Sequence, residues 1–368
     1  MKDTKQYFIK QQLYLLQLTF VATGMLFFFI QQAAAQKTGK QKLPNVIYIY
    51  ADDLGYGELG SYGQAKIKTP NLDQLAREGI RFTQHYTGAP VCAPARCMLM
   101  TGKHAGHSYI RGNYEAGGFP DSLEAGQMPL PEGTFTIGRL MQQAGYRTAA
   151  IGKWGMGMYD NTGNPNKQGF DYFFGYLDQK QSHNYYPTHL WENGKRVSLR
   201  NEYFSPHQQL AKIPEDESVF KRYKGNEYAP DVMTSKALSF ISENRQHPFF
   251  LYLAFTLPHV SLQVPDKALS LYTGQFSEQP YLGEQGYLPN QYPLSTYAAM
   301  ITMMDDYIGQ VMKLIKQSGL DENTIIMFSS DNGPTFHVGG VNAEFFNSTA
   351  GLRGRKMDLY EGGIRIPF

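Results

Sequence analysis

Cysteine is nearly absent from this 368-residue chain: Cys92 and Cys97, five positions apart, are the whole supply. A disulfide-stapled scaffold is therefore excluded. The one bridge available would close a very short loop and contribute little, because the stabilisation grows with loop length. It would also have to form where Met98, Leu99 and Met100 indicate a helix, and positions five apart on a helix do not face each other. An excess of either charge is lacking too. The formal net charge is +2, which offers no basic field for nucleic acid. Charged residues make up 18% of the chain against 42% hydrophobic, a balance that argues against disorder and supports a sizeable core. No repeat or low-complexity tract occurs. A clean membrane span is missing as well: the apolar run from Leu13 to Ile30 is broken by Gln17, Thr19, Thr23 and Gly24, short of the ~20 apolar residues that spanning requires.

What that N-terminal segment does contain is Lys2, Lys5 and Lys10 ahead of the apolar run, and Ala33 and Ala35 just before Gln36. Basic start, short apolar stretch and an A-x-A site are the signature of a secretory signal peptide. Residues 1–35 are therefore expected to be removed on export to the periplasm or the extracellular space, with no stable membrane insertion afterwards. Residues 36–368 remain as the functional domain.

Helix and strand patterns alternate through that domain. "NVIYIYADD" from Asn45 is a continuous apolar run that stops at two aspartates, as in strands buried on both faces. "TPNLDQLAREG" follows as a helix, with Thr69 as N-cap, Pro70 at the first helical position and Gly79 as terminator. A second helix and a strand ending at Lys153 come next, then a helix from Asp231, a strand ending near His259, a long amphipathic helix, and a strand ending at Asp331 and Asn332. The expected fold class is α/β, with a large, mostly parallel (mixed) sheet flanked by helices. Residues 176–230 differ: they are aromatic and turn-rich, with Asn193-Gly194 as a hairpin candidate, and read as an insertion over one end of the sheet.

The polar residues fall at one edge. Asp52 and Asp53, Lys153, His259, and Asp331 with Asn332 each lie at the carboxyl end of a different predicted strand, where open α/β sheets form their ligand crevice. An Asp pair and an Asp-Asn pair are hard oxygen donors, suited to Ca²⁺ or Mg²⁺ and not to Zn²⁺. The competing reading is that Asp52 and Asp331 cap the helices that follow them. Two such pairs on two strands favour the metal.

Cys92-Ala93-Pro94-Ala95-Arg96 fits Cys-x-Pro-x-Arg, followed by Thr101-Gly102-Lys103. Together with "ADDLGYGELGSYG", "TPNLDQLAREG", "GKWGMG", "FLYLAFTLPH", "SSDNG" and "LRGRKMDLYEGGIRIP", these motifs make the chain resemble the type I sulfatases of the alkaline-phosphatase-like superfamily. The resemblance implies sulfate monoester hydrolysis, with Cys92 oxidised by a formylglycine-generating enzyme to 3-oxoalanine (formylglycine), whose hydrate is the nucleophile. It implies Ca²⁺, ahead of Mg²⁺, on Asp52, Asp53, Asp331, Asn332 and modified Cys92. It further implies that Arg96 holds the hydrated aldehyde, Lys153 and Lys356 grip the sulfate, and His259 protonates the leaving alcohol. A sulfated glycan or aryl sulfate is the expected substrate, and Cys97 a buried bystander.

Two features depart from the family pattern. Gly155 stands where a histidine often contacts the nucleophile, so another residue is expected to do that work. His183, opening the aromatic stretch, is the candidate base or sulfate contact, ahead of His104 and His107 at the far end of the helix that begins beside Cys92. The chain also stops at Phe368, within an expected strand from Gly363, where relatives continue into a C-terminal subdomain. The alternatives are a phosphate or phosphonate monoester hydrolase of the same superfamily and a non-catalytic glycan-binding relative.

Overall fold

In the computed structural model the described residues are 43–368 and, near the N-terminus, Tyr7, Phe8, Lys10, Gln11, Tyr14, Leu16, Thr19, Phe20 and 23–25. Those early positions are helical, whereas the expected cleavage site at Ala33 and Ala35 lies outside the described residues. No helix among the described residues is long and apolar enough to cross a membrane. The chain divides into two compact units, Met1–Leu43 and Pro44–Phe368, and the second holds everything that follows.

Its frame is a seven-stranded sheet. β1 (Asn45–Ala51) lies between β8 (Phe249–Ala254) and the edge strand β9 (Thr324–Ser330), and β8 pairs on its other side with β4 (Arg147–Lys153), itself next to β5 (Tyr172–Tyr176). These five are parallel. β6 (His189–Glu192) and β7 (Lys195–Ser198) extend the sheet antiparallel beyond β5. A small hairpin of β2 (Glu115–Gly117) and β3 (Glu124–Gln127) stands apart. The unbroken apolar character of β1 follows from burial on both faces. Ile47 and Ile49 share one core with Leu251, Leu253 and the helices α4 (Ala229–Asn244) and α5 (Pro293–Gln317). Tyr48 and Tyr50 share the other with Phe250, Tyr252, the Cys97 and Met100 side chains of α2 (Cys92–Thr101), and Ile137 and Met141 of α3 (Ile137–Gln143).

Three local expectations need revision. α1 (Pro70–Glu78) starts where Thr69-Pro70 indicated, yet Thr69 makes no side-chain cap bond. Its hydroxyl accepts from Gly60 N instead, and the carboxylate of Asp305 on α5 takes the free N–H groups of Asn71 and Leu72 at 3.1 and 2.7 Å. The expected strand from Gly363 is a single helical turn, Glu361–Ile364. There Gly362 N donates to Arg353 O, so closely that a Cβ at 362 would meet Gly354 O at 2.1 Å. Third, part of 176–230 belongs to the sheet itself: Asn193 and Gly194 take φ of 46° and 79°, the pair of positive angles a tight hairpin requires. Residues 181–187 of the same stretch face the loop after β8, where the Tyr185 hydroxyl donates to Thr256 O and His259 O.

Candidate active site

The register of the central strands brings the acidic pairs together. Ala51 pairs with Ser330 at the end of the β1–β9 ladder, so the next residues, Asp52 and Asp331, leave the sheet side by side. Asp331 N donates to Ala51 O, and Asp331 Oδ1 accepts from Asp53 N at 3.0 Å. Asp53 turns out of the strand with φ of 65°. No helix begins at either position, which rules out the capping alternative. Both carboxylates are spent within the site.

Three buried ion pairs converge there. Lys153 Nζ lies 2.6 Å from Asp52 Oδ2, Lys356 Nζ 2.7 Å from Asp53 Oδ2, and Arg96 Nη2 2.8 Å from Asp331 Oδ2. Arg96 also donates from Nη1 to Lys153 O, which ties α2 to the end of β4. Burial opposes ionisation of Asp52, but Lys153, then His259 and Arg96, hold its carboxyl well below the usual range. Asp331 goes the other way: burial and then the Asp52 charge push it up to about 7, against the pull of Arg96. Burial works against the charge of Lys356 too, and Asp53 overrides it and raises its pKa well above normal. Removing one partner from a pair of this kind leaves an uncompensated buried charge, at a cost of about 3–5 kcal/mol.

Cys92 opens α2 and points into this cluster. Its Sγ lies 3.3 Å from Asp52 Oδ1 and 3.9 Å from Asp53 Oδ1. Burial first, then the Asp52 charge, push its pKa well up, which disfavours the thiolate that a cysteine nucleophile needs. It forms no disulfide. Cys97 is also free and buried, in contact with Ser108 Oγ at 3.3 Å.

The donor set also fits a hard cation. One ligand atom each from Asp52, Asp53, Cys92 and His259 lie within 4.8 Å of one another. Asn332 Nδ2 donates to Asp53 Oδ1 at 2.7 Å, while its Oδ1 is buried and meets no donor among the described residues. A buried amide oxygen without a donor is costly unless a cation takes its lone pairs. Asp331 Oδ1 and Oδ2 stand on the same wall, engaged by Asp53 N and Arg96.

A family profile described as Sulfatase matches residues 44–368, nearly the whole domain. The chain belongs to the sulfatase family. It is 30% identical over 349 residues to an arylsulfatase of Klebsiella aerogenes, covering 82% of this chain and 68% of that one. Among solved structures, Ps i-CgsB superposes with a TM-score of 0.69 at 29% identity, over 89% of this chain and 65% of that one. A protein solved in connection with the metabolism of multiple glycosaminoglycans by Bacteroides thetaiotaomicron gives 0.67 at 28% identity, over 89% and 72%. The chain spans 61% of human arylsulfatase D and 57% of human N-acetylgalactosamine-6-sulfatase, less than two thirds of either.

Nine residues singled out from the sequence meet in one place: Asp52, Asp53, Cys92, Arg96, Lys153, His259, Asp331, Asn332 and Lys356. His259 Nε2 lies 3.6 Å from Asp53 Oδ2, and its Nδ1 faces the Val260 carbonyl. Burial, then Lys356, lowers its pKa to about 4. His183 stacks on His259 with ring centroids 5.1 Å apart. His104 and His107 are exposed beyond the far end of α2. The space beside Gly155 is taken by a residue the sequence did not flag. A Cβ at 155 would stand 2.9 Å from Gln179 Cγ and 3.3 Å from its Nε2. Gln179 is 1% exposed, and neither of its amide atoms has a partner among the described residues.

Proposed function

We propose that this chain hydrolyses sulfate monoesters: the ester's S–O bond breaks, water supplies the elements of the alcohol and hydrogen sulfate, and the reaction is centred on residue 92. One observation carries the reading. A buried thiol 3.3 Å from Asp52 Oδ1 and 3.9 Å from Asp53 Oδ1, with three cationic side chains in the same cluster, is poorly placed to ionise to a thiolate and well placed as the precursor of another group. Oxidation to formylglycine by a maturing enzyme, followed by addition of water to the aldehyde, would supply an attacking hydroxyl, and a Ca²⁺ on Asp52, Asp53, Asp331 and Asn332 would offset negative charge on the ester. Lys153 and Lys356 then bind the sulfate oxygens and stabilise charge that grows as the bond breaks. Arg96 neutralises Asp331 and holds the start of α2. His259 must carry a proton on Nε2 to protonate the leaving alcohol. The sulfate monoanion beside it works against the lowering by burial and Lys356.

A sulfated glycan is the proposed substrate class. Supporting it are a relative solved in complex with k-i-k-neocarrahexaose at 29% identity, and the half-buried rings of His207 and Tyr287 beside His183. The signal-like N-terminus supports export to the periplasm or extracellular space. The decisive experiment is intact-mass analysis of the peptide containing residue 92, with turnover of matched aryl sulfates and phosphates. A residue lighter than cysteine and a preference for sulfate bear the proposal out. Unmodified cysteine in active protein, or a preference for phosphate or phosphonate, overturns it.

A further inference from the structure

Outward from His259 the wall of the site is a chain of rings whose protons can be assigned from what each partner is able to do. Tyr287 N donates to His207 Nδ1 at 3.2 Å. A backbone N–H can only donate, so His207 Nδ1 carries the lone pair and, in the neutral ring, the proton sits on Nε2. That nitrogen lies 3.2 Å from His183 Nδ1, which must then accept. His183 is thereby left with its own proton on Nε2. No acceptor for that N–H stands among the described residues. Packing keeps the geometry in place. The His207 ring lies between Phe119 and Tyr287, with centroids 4.1 and 4.5 Å away. Tyr287 holds φ of 67°, a left-handed conformation that is strained for a tyrosine and persists only where the surroundings over-determine it. A ring nitrogen that accepts carries no proton, so this arrangement makes both imidazoles neutral.

We propose that Tyr287 N–H, His207 and His183 form a tautomer relay that fixes His183 as an Nε2–H donor to a sulfate oxygen of the substrate, with His207 as its positioning residue. The sulfate half rests on the hydrolase reading above; the relay does not. On this account His183 is a sulfate contact and not the replacement base, because a ring whose Nδ1 is occupied and whose Nε2 is protonated has no lone pair to offer. His207→Gln should preserve the relay, since the glutamine oxygen can accept from Tyr287 N while its amide donates to His183. His207→Phe keeps the ring between its neighbours and removes both bonds.

The test uses the full chain labelled with ¹⁵N-histidine. Long-range ¹H–¹⁵N spectra should report the neutral Nε2–H tautomer of His183 in the wild type and in His207→Gln, and its loss in His207→Phe. Titration with inorganic sulfate should show at least tenfold weaker binding in His207→Phe, and KM for a sulfate monoester should rise at least tenfold while kcat changes less than threefold. Recovery of both in His207→Gln to within about threefold supports the relay. An Nδ1–H His183 in the wild type, or an unchanged tautomer in His207→Phe, overturns it. An altered tautomer with unchanged sulfate binding overturns the substrate half. Tautomer and sulfate binding are read without turnover, so an inactive chain would count against the hydrolase reading alone.

Discussion

Glu58 is buried behind the Asp52–Asp53 turn, where its carboxyl accepts from Gly55 N and from the Tyr297 hydroxyl on α5, each at 2.6 Å. Burial outweighs those bonds and, with some help from the Asp53 charge, raises its pKa from 4.5 to about 7. In the unfolded chain the group ionises near 4.5, so between pH 4.5 and 7 folding takes up a proton. Stability then falls as pH rises, by about 1.4 kcal/mol per pH unit at most. Below that window Glu58 is protonated in both states. Above it, the folded protein carries the whole penalty, about 3 kcal/mol. Glu58→Gln is uncharged throughout, but turns an amide toward Gly55 N–H or Tyr297, at a cost of about 1 kcal/mol. The variant should be slightly less stable than the wild type at pH 4.5 and about 2 kcal/mol more stable at pH 7.5. Urea unfolding of both proteins at several pH values and one Ca²⁺ concentration measures the difference curve, from which all shared titrations cancel. Parallel stability profiles would refute the argument, and with it the claim that burial dominates this carboxyl.

Much of the site was legible because buried strands end abruptly. A strand enclosed on both faces is apolar along its length, so Asp52, Lys153 and Asp331 mark the sheet edge by breaking that pattern. Proximity of the two acidic pairs needed only the assumption that β1 and β9 are parallel. What stayed hidden depends on register and on distant partners. Thr69-Pro70 carries a local capping signal, yet the carboxylate that caps α1 belongs to Asp305, in a helix with its own amphipathic reason to exist. Gln179 is an unremarkable polar residue until β5 is placed beside β4, with Tyr176 opposite Lys153, which sets it against the bare Cα of Gly155. His207 and Tyr287 lie 80 residues apart and meet only across the site. Helix geometry did exclude His104 and His107, since ten residues of α2 separate them from residue 92.

Four further outcomes follow. Cys92→Ala should abolish turnover and, compared with the unmodified metal-free chain, change unfolding free energy by about 1 kcal/mol at most, since only a sulfur atom is then lost from the site; wild-type-like rates would sink the assignment of residue 92. Calcium at a hundredfold excess over its Kd should raise stability by about 2.7 kcal/mol, and Asn332→Ala should demand at least tenfold more Ca²⁺ for the same rise in Tm. A wild type whose Tm ignores Ca²⁺ and EDTA alike would remove the cation from this site. His259→Ala should slow esters of poor leaving groups about 10²–10⁴-fold and activated aryl esters far less; equal losses on both would mean it is not the proton donor. The last concerns Gly155, where φ is 73° and a Cβ would press on Gln179. Gly155→His should cost about 1–2 kcal/mol for the left-handed backbone and about 1–3 more for overpacking against Gln179. Gln179→Ala alone should cost about 1 kcal/mol or less, because the amide it removes has no partner to lose. Only the overpacking can be relieved by the second change, so the double variant should be more stable than the sum of the singles by at least about 1 kcal/mol. Denaturant unfolding of the four proteins measures that coupling. Strict additivity would mean that Gln179 does not occupy the space beside Gly155, and that whatever stands in for a side chain at 155 has to be sought elsewhere on the wall.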